Sequence, residues 1–329
     1  MLEHGGQLQS ATTRFGIAAG DWLDLSTGIN PQGWPVPAID PQHWQRLPEA
    51  EDGLEAAARA YYQCPQILPT AGSQAAIQAL PRLRGHSRVG VLDPDYSEHA
   101  HAWRRAGHTV VGLQAADIGR PQADLDVLVL SNPNNPTGGE LDPALLRARR
   151  AELAGRGGWL VVDEAFRDAS PAASLISETD QAGLIVLRSL GKFFGLAGAR
   201  VGFAAATPDR LDALREWLGP WPLSGPARVV AQQALRDTEW QQCTREYLAR
   251  ESEHLNDLLS QAGLVPSGGC PLFQWLAYND AANIHEQLAR QGVLVRLFTR
   301  PPGLRFGLPG DAAGWRRLEA ALAQLEVNA

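Results

Sequence analysis

The sequence predicts an α/β fold: a large domain around a mostly parallel sheet, with a smaller α/β domain after it. Two observations carry this. Short strand segments that are apolar at nearly every position alternate with helix-spaced segments between about residues 54 and 205. A second alternating series of strands and helices begins after Pro222. The length of 329 residues suits two packed domains rather than one small core. The expected division is an N-terminal arm over 1–44 that completes the small domain, a large domain over 45–222 and a small domain over 223–329.

Taken in order, the stretch up to Trp44 is rich in Gly, Pro and Trp and reads as irregular. Its tryptophans and prolines (Trp22, Trp34, Pro35, Pro37, Trp44) are too apolar to sit free in solvent. Leu54, Ala57, Ala58 and Tyr61 are spaced as one helical face. A helix is expected to open on Gly72-Ser73, and another spans about His99–Ala106. Strands are expected at Arg88–Leu92, Thr109–Leu113, Asp126–Leu130, Trp159–Val162, Leu184–Arg188 and Val201–Ala205. A long helical stretch from Ala227 to Ala262 should break near Asp237. Strands at Leu272–Leu276, Val293–Arg296 and Leu304–Gly307 follow, with a helix through Ala289. A last helix places Leu318, Ala321, Leu322 and Leu325 on one face.

A net charge of −7 provides no global basic field for nucleic acid or an anionic membrane. An anionic substrate must be held by a few local arginines. Cys64, Cys243 and Cys270 are odd in number and widely spaced, which argues against a disulfide framework or a zinc site. The N-terminus lacks an apolar signal region, and no apolar run reaches the roughly 18 residues of a bilayer span. The expectation is a cytoplasmic protein with no metal, no nucleic acid and no membrane partner.

Four motifs follow expected strands, where open α/β sheets bind ligands. In Ser189-Leu190-Gly191-Lys192-Phe193-Phe194-Gly195, Lys192 can form an imine with an aldehyde. Ser189 and Arg200 can supply a hydroxyl and a guanidinium to a phosphate. Alone, a loop lysine is far more often a surface charge; the whole string reverses those odds. In Val162-Asp163-Glu164-Ala165-Phe166, Asp163 ends a buried strand, which is costly unless it meets a cation such as a protonated pyridine nitrogen. Ser131-Asn132-Pro133-Asn134-Asn135-Pro136-Thr137-Gly138 makes a rigid turn from which Asn135 can donate to a phenolate oxygen. Gly72-Ser73-Gln74 opens a helix whose free N–H groups suit a phosphate. Each motif alone is compatible with plain capping, turn or surface roles. Together they describe one cofactor, pyridoxal 5'-phosphate.

Through these strings the chain resembles the histidinol-phosphate aminotransferase branch of fold-type I pyridoxal-phosphate enzymes, the aspartate-aminotransferase-like fold. Within that branch it is most similar to the threonine-phosphate decarboxylases of cobalamin biosynthesis, on "HGG" at His4–Gly6, "LDLSTGINPQG" at Leu23–Gly33, "DEAF" and "SLGKFFGLAGAR". The resemblance implies that Lys192 holds the cofactor and Asp163 meets its pyridine nitrogen. It gives Asn135 to the phenolate oxygen, and Gly72, Ser73, Gln74, Ser189 and Arg200 to the phosphate. Tyr96 matches the aromatic stacked on the ring, and Phe166 also lies at the cofactor. His4, Asn30, Asn135, Arg296 and Arg305 are implied for the substrate, a phosphorylated amino acid, and the assembly is implied to be a homodimer.

Three departures stand out. Phe166 replaces a tyrosine that in the aminotransferases bonds the phenolate oxygen. Leu47 stands where relatives carry a tyrosine reaching the partner subunit's cofactor, and Gly191 where many have a serine. The loss at Phe166 favours decarboxylation of L-threonine O-3-phosphate over transamination of histidinol phosphate, the alternative. A non-enzymatic regulator of this fold would need an added DNA-binding domain, for which the chain has no room.

Overall fold

The computed structural model describes residues 5–120 and 123–326. Among these the strands run β1 (Leu23–Asp24), β2 (Leu68–Ala71), β3 (Arg88–Leu92), β4 (Thr109–Leu113), β5 (Val127–Ser131), β6 (Trp159–Asp163) and β7 (Leu184–Ser189). Then come β8 (Val201–Ala205), β9 (Gly268–Cys270), β10 (Phe273–Ala277), β11 (Val293–Leu294), β12 (Arg296–Thr299) and β13 (Pro302–Gly307). No helix among the described residues is long and apolar enough to cross a membrane.

The chain divides into two compact units. The larger contains Gly33–Asn135 and Glu140–Cys243; the smaller contains Met1–Gln32, Pro136–Gly139 and Thr244–Ala329.

In the larger unit seven strands form one sheet in the order β2-β8-β7-β6-β5-β3-β4. β4, β3, β5, β6 and β7 are parallel, and β8 runs against β7 and β2. The parallel strands β5 and β6 are buried at every position, as a sheet covered on both faces requires. On one face Val89, Val127, Val129, Val161, Ile185 and Leu187 pack with Ile77, Leu80, Trp103, Leu211 and Leu214 from the helices.

The boundaries read from sequence, 44/45 and 222/223, differ from these divisions at 32/33 and 243/244. The reason is packing around the helix Gly225–Arg236. It lies against the helix Leu54–Tyr62 and the short helix Gln42–Gln45. Arg228 on it grips Asp52 with two bonds, Nε to Oδ2 at 2.5 Å and Nη2 to Oδ1 at 2.7 Å. Residues 33–48 and 225–236 therefore share the larger unit's core. The break at Asp237 is real, since the next helix starts at Thr238. There Gln241 Nε2 donates to the carbonyls of Ala234 and Leu235 at 3.0 and 3.1 Å, which satisfies the ending helix.

The smaller unit holds a four-stranded antiparallel sheet, β12-β13-β10-β9, and the parallel pair β1-β11. The N-terminal stretch is not wholly irregular: Leu8–Phe15 is helical. Its Ala11 packs with Trp22, Ala289 and Leu294. Residues 136–139 join this unit by close backbone contact. Gly138 has φ +71°, and a Cβ there would collide with the backbone of Gly269.

The two tryptophans expected to need outside cover find it within the chain. Trp22 Nε1 donates to the Ile17 carbonyl at 3.2 Å, and Trp34 Nε1 donates to Asp237 Oδ2 at 2.9 Å. Trp44 stays 70% exposed, and Leu47 and Val36 are exposed beside it in sequence.

Candidate active site

Strand register brings the four motifs to one edge of the seven-stranded sheet. Ser131 of β5 lies opposite Asp163 of β6, and Asp163 lies opposite Leu187 of β7. Ser189 of β7 pairs with Gly202 of β8, and Val201 of β8 pairs with Ala71 of β2. The carboxyl ends of β5, β6 and β7 thus meet the start of β8 and the end of β2. Asn135, Asp163, Lys192, Arg200 and Gly72 all leave the sheet along this edge, where ligands bind in such folds.

The phosphate-type corner is built by backbone. Gly72 has φ +69°, and a Cβ on it would stand 2.7 Å from Arg200 Nη2. Arg200 itself has φ +53°, a left-handed conformation that costs a non-glycine residue roughly 1 kcal/mol or more. Its Nη1 donates to the Ala197 carbonyl at 3.2 Å. The strain aims an exposed guanidinium across the start of the helix Gly72–Ala79, whose first N–H groups are unsatisfied by the helix itself. Ser189 Oγ accepts from the Gly191 N–H at 3.2 Å, folding the loop back over the strand end.

Lys192 sits half-buried on a loop whose neighbours are locked. Phe193 and Phe194 are fully buried. Trp240 packs on both, edge-on to Phe193 at 5.4 Å and stacked on Phe194 at 5.6 Å. Gly195 N–H donates to the Lys192 carbonyl at 3.1 Å, and Trp34 N–H to the Phe194 carbonyl at 2.8 Å. The lysine Nζ lies 5.3 Å from the centre of the Phe166 ring. The loops after β6 and β7 therefore converge, and Phe166 is an apolar wall for the amine.

Asp163 is buried, and one carboxylate oxygen accepts from the Ala165 N–H at 3.0 Å. The other meets His99 Nε2 at 3.0 Å. The sequence reading missed His99. The signal was present: His99 lies three residues after Tyr96, so both face the same side of the helix Ser97–Arg105 and its start. Burial opposes the charged imidazole, but the bond and charge of Asp163, with Asp95 and Glu98, outweigh it and raise the His99 pKa. Tyr96 stands edge-on to His99 at 5.9 Å and donates to Gln74 Oε1 at 3.2 Å. Gln74 Nε2 donates in turn to Glu98 at 2.9 Å. Burial, with Glu98 and Asp163, pushes the Tyr96 phenol up to about 12, so it stays a neutral donor.

Behind this layer, Arg188 is buried between Glu164 at 2.9 Å and Asp168 at 3.1 Å. It also donates to Ser174 Oγ at 2.7 Å. The ion group ties the segment after Asp163 to the residue before Ser189.

In the smaller unit Arg296 and Arg305 lie directly opposite each other on β12 and β13. Like charges so paired repel. Arg305 is buried; its Nη2 donates to the Ser26 carbonyl at 3.0 Å, and its guanidinium lies 5.0 Å from the Phe273 ring centre. Burial lowers its pKa to about 10, opposed by Cys270 and reinforced by Arg296. Asn30 is buried nearby in sequence to Ser26, and its Oδ1 accepts from the Gln32 N–H at 2.9 Å. His4 lies outside the described residues.

Residues 42–322 match the family model "Aminotransferase class I and II". A threonine-phosphate decarboxylase of Pseudomonas aeruginosa is 56% identical over 98% of this chain and 97% of its own length. A second of that name, from a Sinorhizobium species, is 42% identical over 99% of both chains. Among solved structures, that of an L-threonine-O-3-phosphate decarboxylase from Porphyromonas gingivalis superposes with TM-score 0.77 at 20% identity. It covers 91% of this chain and 98% of its own, and shows likeness of fold.

Proposed function

The chain belongs to the class I and II aminotransferase family, and from that premise we propose that it decarboxylates L-threonine O-3-phosphate with pyridoxal 5'-phosphate as cofactor. The products are (R)-1-amino-2-propanol O-2-phosphate and CO₂, and the pathway is cobalamin biosynthesis. The observation that carries this reading is the near-full-length identity with the Pseudomonas relative together with the register-aligned edge bearing Gly72, Asn135, Asp163, Lys192 and Arg200.

The residues fit the cofactor. The Gly72 backbone leaves space under Arg200 that any side chain would fill. The buried Asp163 carboxylate is oriented by His99 and the Ala165 N–H. Pyridoxal phosphate supplies an aldehyde and a protonated pyridine ring that accepts electrons from a breaking bond at Cα.

The chain's own residues divide the work as follows. Lys192 holds the cofactor and, once released from it, delivers a proton at Cα after CO₂ leaves. Asp163 holds a proton on the pyridine nitrogen, and His99 positions Asp163. Gly72, Ser73, Gln74, Ser189 and Arg200 bind the phosphate. Tyr96 stacks on the ring, Asn135 donates to its phenolate oxygen and contacts the substrate, and Phe166 walls the lysine. Arg296 and Arg305 grip the substrate's acid groups, with Asn30 and His4 beside them. An acid group would relieve the repulsion between two facing guanidiniums. The grip turns the carboxylate, rather than the Cα hydrogen, perpendicular to the ring.

A homodimer is part of the proposal, supported by the exposed Val36, Trp44 and Leu47. A cytoplasmic setting is supported by three free cysteines among the described residues.

Incubation with L-threonine O-3-phosphate tests the reaction. CO₂ and the amino-alcohol phosphate should form with no 2-oxo acid present. Consumption of 2-oxoglutarate with histidinol phosphate at a comparable rate would replace this reading with transamination.

A further inference from the structure

In the smaller unit a cleft of about 290 Å³ lies between the helix Leu8–Phe15, the helix Ala281–Arg290 and the strands β11 and β12. Its walls include Arg14, His285 and Arg296, with the polar groups Gln7, Ser10 and Ser26. The volume is well beyond the roughly 30 Å³ that one water occupies in the liquid.

We propose that this cleft receives a phosphate dianion, held by Arg14, His285 and Arg296. Nothing in the motifs or the relatives assigns Arg14 or His285 a role. The proposal stands on the proposed phosphorylated substrate only for the identity of the occupant.

Charge balance supports it. The helices and strands around the cleft bring three guanidiniums near one carboxylate, Glu286. Glu286 is already divided between Arg14 at 2.6 Å and Arg290 at 3.0 Å. The Arg14 bridge is largely exposed and so is weak enough to be exchanged. Asp24 on β1 faces away: it accepts the Ser26 hydroxyl at 2.6 Å and the Ser26 N–H at 2.9 Å. Ser26 Oγ in turn accepts from the Gly6 N–H at 2.8 Å, which seats the chain at the cleft's edge.

His285 reads this imbalance. Burial lowers its pKa, and Arg14 and Arg296 lower it further, against Glu286 and a hydrogen bond to the backbone of Val295. An entering dianion reverses the local sign and draws a proton onto the imidazole, which then becomes a third donor. Binding and protonation are linked, so phosphate must raise the His285 titration midpoint.

The test uses the holoenzyme labelled with [13C]histidine, with His285→Gln identifying the resonance. Inorganic phosphate should move the His285 midpoint upward, and Arg14→Gln, on the other wall, should weaken that shift. If Arg14→Gln and His285→Gln also raise KM for L-threonine O-3-phosphate about tenfold, the loss expected for one charged contact, the occupant is the substrate's own phosphate. A shift with phosphate but an unchanged KM makes the occupant free phosphate, and the receptor stands. No shift at tens of millimolar phosphate, with KM unchanged in both variants, overturns the proposal. The resonance needs no turnover, so its result is separate from whether the chain decarboxylates anything.

Discussion

At the residue scale the chemistry rests on a buried carboxylate and the groups that aim it. Asp163 and His99 meet at 3.0 Å with both side chains almost fully buried. Removing His99 leaves the carboxylate with less to orient it. His99→Asn should lower kcat roughly 10- to 100-fold, the worth of a hydrogen bond to a charged group, and change the visible absorbance of the bound cofactor. Unchanged kcat and spectrum would show that His99 is packing alone. The raised His99 pKa also has a sign. Its contribution to stability is whole below the ordinary value of 6.5 and is lost as pH rises through the raised folded value. Urea midpoints measured from pH 6 upward should therefore fall more in the parent than in His99→Asn. Arg305→Ala should cost about 2–5 kcal/mol in kcat/KM for the phosphorylated substrate, since it removes a buried charge partner. A kcat/KM within twofold of the parent would remove Arg305 from the site.

At the element scale the fold turns on strand ends. Glu164 and Asp168, just past β6, close on Arg188 near the end of β7. This ion group lies between the two segments that carry Asp163 and Ser189. Breaking it strands a buried guanidinium. Glu164→Ala should destabilise the protein by about 3–5 kcal/mol in urea unfolding. A loss below ~1 kcal/mol would mean that water or Asp168 alone satisfies Arg188. The apolar strands were legible because a strand buried on both faces needs apolar residues throughout, and β3, β4 and β8 stand where the sequence puts them. The strand Leu68–Ala71 was not legible. It contains Pro69 and ends on an exposed alanine, and it exists because β8 offers it an edge. The helix Leu8–Phe15 was missed for a similar reason. Only Ala11 on it is buried, so its apolar stripe is too thin to show as periodicity.

At the scale of the whole molecule, the exposed Trp44, Leu47 and Val36 ask for a cover. Light scattering at micromolar protein should give twice 35.5 kDa, and the pair Trp44→Glu, Leu47→Glu should shift the mass toward the monomer. A fully active monomer would refute this. The amino-acid sequence by itself determined the order of strands and helices in the core and the four motifs around Gly72, Asn135, Asp163 and Lys192. These depend on short-range spacing: a turn, a strand end or a helix start is encoded within about ten residues. Tertiary structure alone decided the rest. It set the register that lines Ser131, Asp163 and Leu187 across three strands, and it joined His99 to Asp163 across 64 residues of chain. It also decided that Trp22 and Trp34 are buried while Trp44 is not. Such contacts are fixed by which surfaces pack together, and packing between segments far apart in the chain leaves no periodic trace in either segment.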